Sequence, residues 1–302
     1  MIRRALVVAS LLLLGSALAD DAAKDPFAFS LEVKEKVLAN GLRVVVAPRK
    51  GAPRVACALW FRVGSVDEEP GKTGLAHVLE HMMFKGTRRI GVKAAALGEK
   101  LIAQLDATWD SQKPLAAKVG EPRLHELRAR ERSLAAACGR LLGARADLAA
   151  VASEASFIAS SFGAADEPYL VLRRVEQDFE RLSLEERKND IQEELWDTYV
   201  NAGGTGINAF TTEDTTQYIV TLPSNKLELF FWLEADRLAE PVFREWYPER
   251  EIVKEERRND ENQSDGPFYE ALAATVFGPH PYWHQILGWM KDLDELGPQD
   301  AR

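Results

Sequence analysis

Two imidazoles and a carboxylate fall within five residues at His77-Val78-Leu79-Glu80-His81, inside a run from Gly74 to Phe84 whose composition predicts helix. At 3.6 residues per turn His77 and His81 stand one turn apart on one face, and Glu80, three residues beyond His77, points the same way. Two ring nitrogens so placed can grip one metal ion. A catalytic zinc takes three protein ligands and leaves its fourth position to water, whose proton a nearby carboxylate can remove. Glu80 is placed to be that base. The plainer alternative is an amphipathic helix with surface or hydrogen-bonded core histidines. A metal needs a further ligand, and Tyr247 to Arg258 is a second helical stretch dense in carboxylates, with Glu249 and Glu256 seven apart on one face. Taken alone, those carboxylates read as a solvated charged face.

The elements that must position these residues are legible in the apolar pattern. Val33–Leu38 and Leu42–Ala47 flank an Asn40-Gly41 turn, a strong hairpin signal, and Val55–Val63 is a further strand. These lead into the histidine helix, expected from near Thr73 to Gly86-Thr87, with Lys85 in its last turn complementing the dipole. Thr216–Leu222 reads as a strand following another at Asn208, Lys226–Ala239 as a helix ending before Pro241, and Tyr269–Val276 as helix. The fold class expected is α+β, an antiparallel sheet packed with helices. Residues 97–200 stand apart, rich in Ala, Leu, Arg and Glu. Leu127, Leu134, Leu141 and Leu148 recur every seven residues, and Val175, Phe179 and Leu182 form a second stripe. This predicts an antiparallel helical hairpin turning at Gly163–Pro168.

Of 302 residues 46% are hydrophobic, enough for a substantial core, and the net charge of −9 argues against nucleic acid or an anionic membrane as partner. Residues 1–19 resemble a secretory signal: Arg3-Arg4, an apolar stretch from Ala5 to Leu14, and Ala17-Leu18-Ala19 as a cleavage site. The expectation is a soluble exported chain beginning near Asp20, periplasmic or secreted, with no stable membrane span. Cys57 and Cys138 have no partner at close metal-binding spacing; a disulfide between them stays open.

The run from Gly74 to Thr87 resembles the inverted zinc motif of the pitrilysin/insulinase family, whose relatives include mitochondrial processing peptidase and bacterial zinc proteases. Three other stretches resemble family signatures in family order: Asn208-Ala209-Phe210-Thr211-Thr212, Glu251 to Arg258, and His280-Pro281-Tyr282. The resemblance implies His77, His81 and Glu256 as zinc ligands, Glu80 as general base and Glu249 as a supporting carboxylate. It also implies Asn208 and Ala209 as residues that hold the substrate, added as a strand beside them. For Asn208 the alternative is turn chemistry after Gly203-Gly204-Thr205-Gly206. The resemblance covers residues 27–302 as one metal-binding domain, expected to be incomplete at its C-terminus; it implies that the helical block of about 97–200 is an insertion whose ends lie close together, and it implies a second homologous chain or domain as partner.

Two functional classes follow. One is a zinc endopeptidase acting on a peptide or protein substrate through a zinc-activated water. The other is a non-catalytic peptide-binding or scaffold subunit that pairs with an active homologue.

Overall fold

The computed structural model describes residues 32–49, 51–142 and 160–301, and the side chains of 137–142 are not among those described. The signal-like residues 1–19, Leu148, and the side chains of Cys138 and Leu141 therefore lie outside the described residues. The chain divides into two compact units, 1–52 and 53–302.

In the first unit β1 (Lys34–Val37) and β2 (Arg43–Val46) form an antiparallel hairpin, Lys34 opposite Val46 and Val37 opposite Arg43. Gly41 adopts φ 85°, a left-handed conformation that a residue with a Cβ avoids, and the Asn40 side chain accepts from the Leu42 N–H at 3.1 Å.

The second unit runs β3 (Arg54–Phe61), α1 (Leu75–Met82), α2 (Ala95–Val119), α3 (Glu121–Leu142), α4 (Glu167–Asn189), α5 (Glu194–Asn201), β4 (Thr205–Thr211), β5 (Thr216–Pro223), α6 (Leu227–Ala239), α7 (Trp246–Glu261), α8 (Gly266–Phe277) and α9 (Met290–Glu295). The fold is α+β, with β5 central in a three-stranded antiparallel sheet ordered β3-β5-β4. β5 alternates buried and half-buried residues, and its Val220 and Leu222 pack with Cys57, Leu195, Tyr199, Phe230 and Leu233 into one core. Cys57 is buried there as a free thiol. On β4 the pattern differs. Asn208, opposite Ile219, and Phe210, opposite Gln217, face outward, while Ala209 and Thr211 turn toward the helices. Among the described strands β4 pairs on one side only, leaving a row of backbone groups for another strand.

A second core is helical. Val78 and Met82 of α1, Leu101 and Leu105 of α2, Leu182 of α4, Trp246, Tyr247 and Val253 of α7, and Leu293 and Leu296 pack together. The expected insertion is thus rooted in the core at both ends. Trp109 and Phe179 stack near Tyr247, with ring centroids 5.9 Å apart from each other and each 4.9 Å from the tyrosine. Further out, Leu124, Leu127, Phe162, Tyr169 and Leu172 form a satellite core of their own. Where described, the inserted region is helical, as its composition implies, and among the described residues it carries a reversal besides the turn expected near 163–168. The chain also turns back at Gly120, at φ 80° and ψ 140°, so that α3 lies beside the N-terminal half of α4. Ion pairs from Arg123 to Asp166 and from Arg128 to Glu176 tie those two helices.

Candidate metal centre

α1 is only eight residues long, too short to persist alone in water, so its surroundings must hold it. Its N-cap is Gly74, at φ 90°, which has no side chain to offer. The cap comes from Glu68, whose carboxylate accepts the Gly74 and Ala76 N–H groups at 2.8 Å each. Asp292 adds a brace by accepting from the Thr73 hydroxyl at 2.7 Å and the Thr73 N–H at 3.2 Å. At the other end Arg244, almost wholly buried, donates to the carbonyls of Lys85 at 2.9 Å, Ile90 at 3.0 Å and Thr87.

So held, α1 turns His77 and His81 toward α7. His77 Nε2 lies 3.7 Å and His81 Nε2 3.8 Å from Glu256 Oε2. Ligand atoms of the three residues lie within 4.8 Å of one another, the one such group among the described residues. Bonds of about 2.0–2.1 Å in a tetrahedron put neighbouring ligand atoms roughly 3.3 Å apart, so each imidazole nitrogen needs to close on Glu256 by only about half an ångström around an ion. Two imidazoles, one carboxylate and an open side form a donor set suited to a catalytic zinc. Burial pushes His77 down to about 4, with the neighbouring His81 adding to the fall, which keeps a lone pair free on its ring.

The remaining carboxylates divide the surroundings of this trio between them. Glu249 Oε2 stands 3.4 Å from His81 Nδ1, on the side of the ring away from Glu256, and also meets the Lys85 ammonium. Although burial works against its charge, His81 and Lys85 hold the Glu249 carboxyl below its ordinary range. For His81, burial is outweighed by Glu249, Glu256 and Glu80, and the ring is pushed up. Glu80 points toward β4, where its Oε2 accepts the Thr211 hydroxyl at 2.7 Å. Burial raises its pKa against the bond from Thr211, and the nearby Glu256 charge adds to the rise. A carboxylate with a raised pKa beside a histidine pair suits proton transfer.

A cavity of about 490 Å³ opens beside this cluster, bounded by Glu80 and His81, by Asn208 and Ala209 of β4, and by residues 190–196. Asn208 is a paired strand residue rather than turn chemistry. The structure therefore brings His77, Glu80, His81, Glu249 and Glu256 together, with Asn208 and Ala209 on the adjoining wall. Sequence reasoning missed Thr211, although it is the last residue of the Asn-Ala-x-Thr signature, and missed that Lys85 binds Glu249 and Glu245 rather than only complementing the helix dipole. Its position four residues beyond His81 was the available signal.

The model of the insulinase family, peptidase family M16, matches residues 43–112 and 179–288, leaving out the segment between. An uncharacterized zinc protease of Streptomyces coelicolor is 40% identical over 57 residues, 19% of this chain and 12% of that protein. A probable mitochondrial-processing peptidase subunit beta of Arabidopsis thaliana is 41% identical over 63 residues, 21% of this chain and 12% of that one. Among solved structures, a protease from Helicobacter pylori superposes on 90% of this chain with a TM-score of 0.53 and 20% identity. The periplasmic protease PqqL from Escherichia coli does so on 90% with a TM-score of 0.51 and 16% identity. The chain spans 42% of the Helicobacter protein and 20% of PqqL, well short of either. With a family match over more than half of its residues, carried on a fold these proteases share, the chain belongs to the insulinase family, peptidase family M16.

Proposed function

We propose that the chain is the metal-binding part of a zinc-dependent endopeptidase, with His77, His81 and Glu256 as ligands and Glu80 as the general base. The observation that carries this reading is the convergence of two imidazole nitrogens on one carboxylate oxygen, at 3.7 and 3.8 Å, with a second carboxylate alongside. Zinc held there would polarise a substrate carbonyl and bring the pKa of water toward neutrality. Glu80 takes the proton from that water and returns it to the amine that leaves. Thr211 orients Glu80, and Glu249 orients His81 through Nδ1 while balancing the charge of Lys85. The unpaired edge of β4 accepts the substrate backbone as an added strand, with Asn208 and Ala209 beside it, a mode that tolerates many sequences.

A second homologous domain or chain belongs to the same reading. The chain spans less than half of the Helicobacter protease, and α8 leaves Phe268, Tyr269, Val276 and Phe277 exposed. Export is proposed from the signal-like residues 1–19. No helix among the described residues is long and apolar enough to cross a membrane. The competing class, a peptide-binding subunit without chemistry, has no use for a base positioned as Glu80 is.

The test is elemental analysis of the purified chain together with hydrolysis of an unstructured protein substrate. One zinc per chain is expected, lost in His81→Ala, and Glu80→Gln should keep the zinc while hydrolysis falls at least a hundredfold. Zinc bound without hydrolysis in the parent chain, even with the homologous half supplied, would favour the binding subunit.

A further inference from the structure

The proposed ligands His81 and Glu256 are held in different ways. The ring of His81 has Glu249 behind it. The Glu256 carboxylate, partly exposed, has no hydrogen bond or ion pair among the described residues beyond the two imidazoles. Ligating carboxylates ordinarily have an outer partner that orients them. For Glu256 the placement must come through its backbone, and so from whatever fixes α7 at that point.

The next residue is the fixed point. Arg257 is 2% exposed. One terminal nitrogen donates to Gln285 Oε1 at 2.5 Å and the other to Glu270 Oε2 at 2.8 Å, its Nε lies 3.0 Å from Glu261 Oε1, and the guanidinium stands 5.4 Å from the centre of the Trp289 ring. A buried guanidinium has to be paired to be tolerated, and its planar fork leaves little choice of geometry. Gln285 and Trp289 belong to a tight turn closed by the Gly288 N–H on the Gln285 carbonyl at 3.0 Å. The other side of that turn lies against the start of α1. Trp289 donates its N–H to Thr73 Oγ1 at 2.9 Å, and Gly288, at φ 73°, approaches so closely that a Cβ on it would stand 2.3 Å from the Thr73 carbonyl. Thr73 directly precedes Gly74, the N-cap of α1. Further along, Lys254 pairs with Asp294 at 2.7 Å and Arg250 donates to the Leu296 carbonyl at 2.9 Å. Arg250, Lys254 and Arg257 follow one another at intervals of four and three, so a basic stripe on α7 grips the whole segment from Gln285 to Leu296.

We infer that Arg257 is the positioning residue of Glu256: through Gln285 and Trp289 it locks α7 to the turn that carries Thr73, and so sets the separation between Glu256 and the two histidines. The turn contributes no ligand, yet it touches both arms of the site. Such a constellation has to be held to within about 0.5 Å of its working geometry, which a glutamate without an outer partner does not achieve alone. Of the other partners of Arg257, Glu261 lies on α7 itself and Glu270 leads to α8, so neither carries this coupling. The inference rests on His77, His81 and Glu256 as metal ligands, and deepens that reading by naming what keeps them together.

The test is the zinc affinity of the full chain, read by competition with a chromophoric chelator, in the parent and three variants. Gln285→Met removes the acceptor on the turn, Arg257→Lys keeps the charge and removes the fork, and Glu270→Gln weakens the tie to α8 alone. The first two should each bind zinc about tenfold more weakly, and the third should stay within about twofold of the parent. Cobalt in place of zinc gives a visible band that follows ligand geometry, and this should shift in the first two variants and not in the third. A general loosening of the fold would act on Glu270→Gln as much as on Gln285→Met. Circular dichroism establishes that each variant is folded, and Gln285→Met decides if Arg257→Lys is not. Parental affinity and an unshifted cobalt band in Gln285→Met, or an equal loss in Glu270→Gln, would overturn the inference. A parent chain that binds no zinc would overturn the metal-centre reading along with it, whereas zinc bound equally by parent and variants removes only the role of Arg257.

Discussion

Thr211 donates its hydroxyl hydrogen to Glu80 Oε2 at 2.7 Å, so the edge strand that would hold a peptide and the helix that carries the histidines are joined at the proposed base. A carboxylate free to rotate would present the wrong oxygen for part of the time. Thr211→Val keeps the shape and removes the donor. The kcat should fall about tenfold, the worth of one hydrogen bond to a charged group, with KM little changed. Zinc content should stay at one per chain; its loss would make Thr211 a structural residue.

Glu249 is the second carboxylate on His81, with Lys85 behind it. Glu249→Gln removes the charge that fixes the ring and leaves Lys85 with Glu245 alone. Outer-shell partners of this type are typically worth 10–100-fold in metal affinity, and a loss of that size is expected here. Competition against a chromophoric chelator would read it, and an unchanged affinity would remove Glu249 from the site.

Glu68 connects the metal helix to pH. Burial pushes its carboxyl up to about 7 from the usual 4.5, against the pull of the Ala76 and Gly74 N–H groups and with the Asp292 charge adding to the rise. A group whose folded pKa lies above its unfolded one binds a proton more readily when folded. Its contribution is complete below about 4.5 and is lost as the pH rises through about 7. Glu68→Gln removes this proton uptake. Urea midpoints at pH 5 and pH 8 should therefore differ less in the variant than in the parent, by the equivalent of about 2 kcal/mol. Parallel midpoints in the two proteins would show that Glu68 titrates normally.

Trimming the helical insertion should separate its root from its tip. Deleting residues 120–165 and bridging the gap with a short flexible linker removes α3 and the satellite core around Tyr169, while Leu101, Leu105, Trp109, Phe179 and Leu182 stay in place. That protein should bind zinc as the parent does. Deleting 110–196 instead takes out Phe179, Leu182 and the whole of α4, and the protein should lose its cooperative thermal transition. Equal behaviour of the two would mean that the root is dispensable.

Much of this arrangement was legible in the residues. The hairpin about Asn40-Gly41 and the strand beginning at Thr216 follow from alternation and turn chemistry, and the spacing of His77 and His81 carries their shared face. Local pattern was a poorer guide to boundaries. The histidine helix expected from Thr73 to Thr87 keeps regular α geometry only from Leu75 to Met82, because Gly74 and Gly86 both adopt left-handed conformations at its ends. Gly120 was passed over for a related reason: it sits between two strongly helical stretches, and composition alone does not tell a break from a tolerated glycine. Lys85, Asp190 and Arg244 were invisible as a group. Their partners lie between about fifty and a hundred and sixty residues away, beyond any periodicity. The His280-Pro281-Tyr282 signature also acquires a physical role away from the metal, since the Tyr282 hydroxyl donates to Asp214 in the turn between β4 and β5 at 2.6 Å.

The metal helix is capped by Glu68, braced by Asp292 and clasped by Arg244, none of which lies within it. The five-residue motif is therefore not portable. A synthetic peptide copying residues 70–90 would be largely unstructured in water and would meet zinc as two loose imidazoles, with neither Glu256 nor the water-facing geometry. Grafting the same five letters onto another protein's helix would transfer ligands without their scaffolding. Affinity here is a property of tertiary structure, so the ion and the fold should be lost together when this chain is heated.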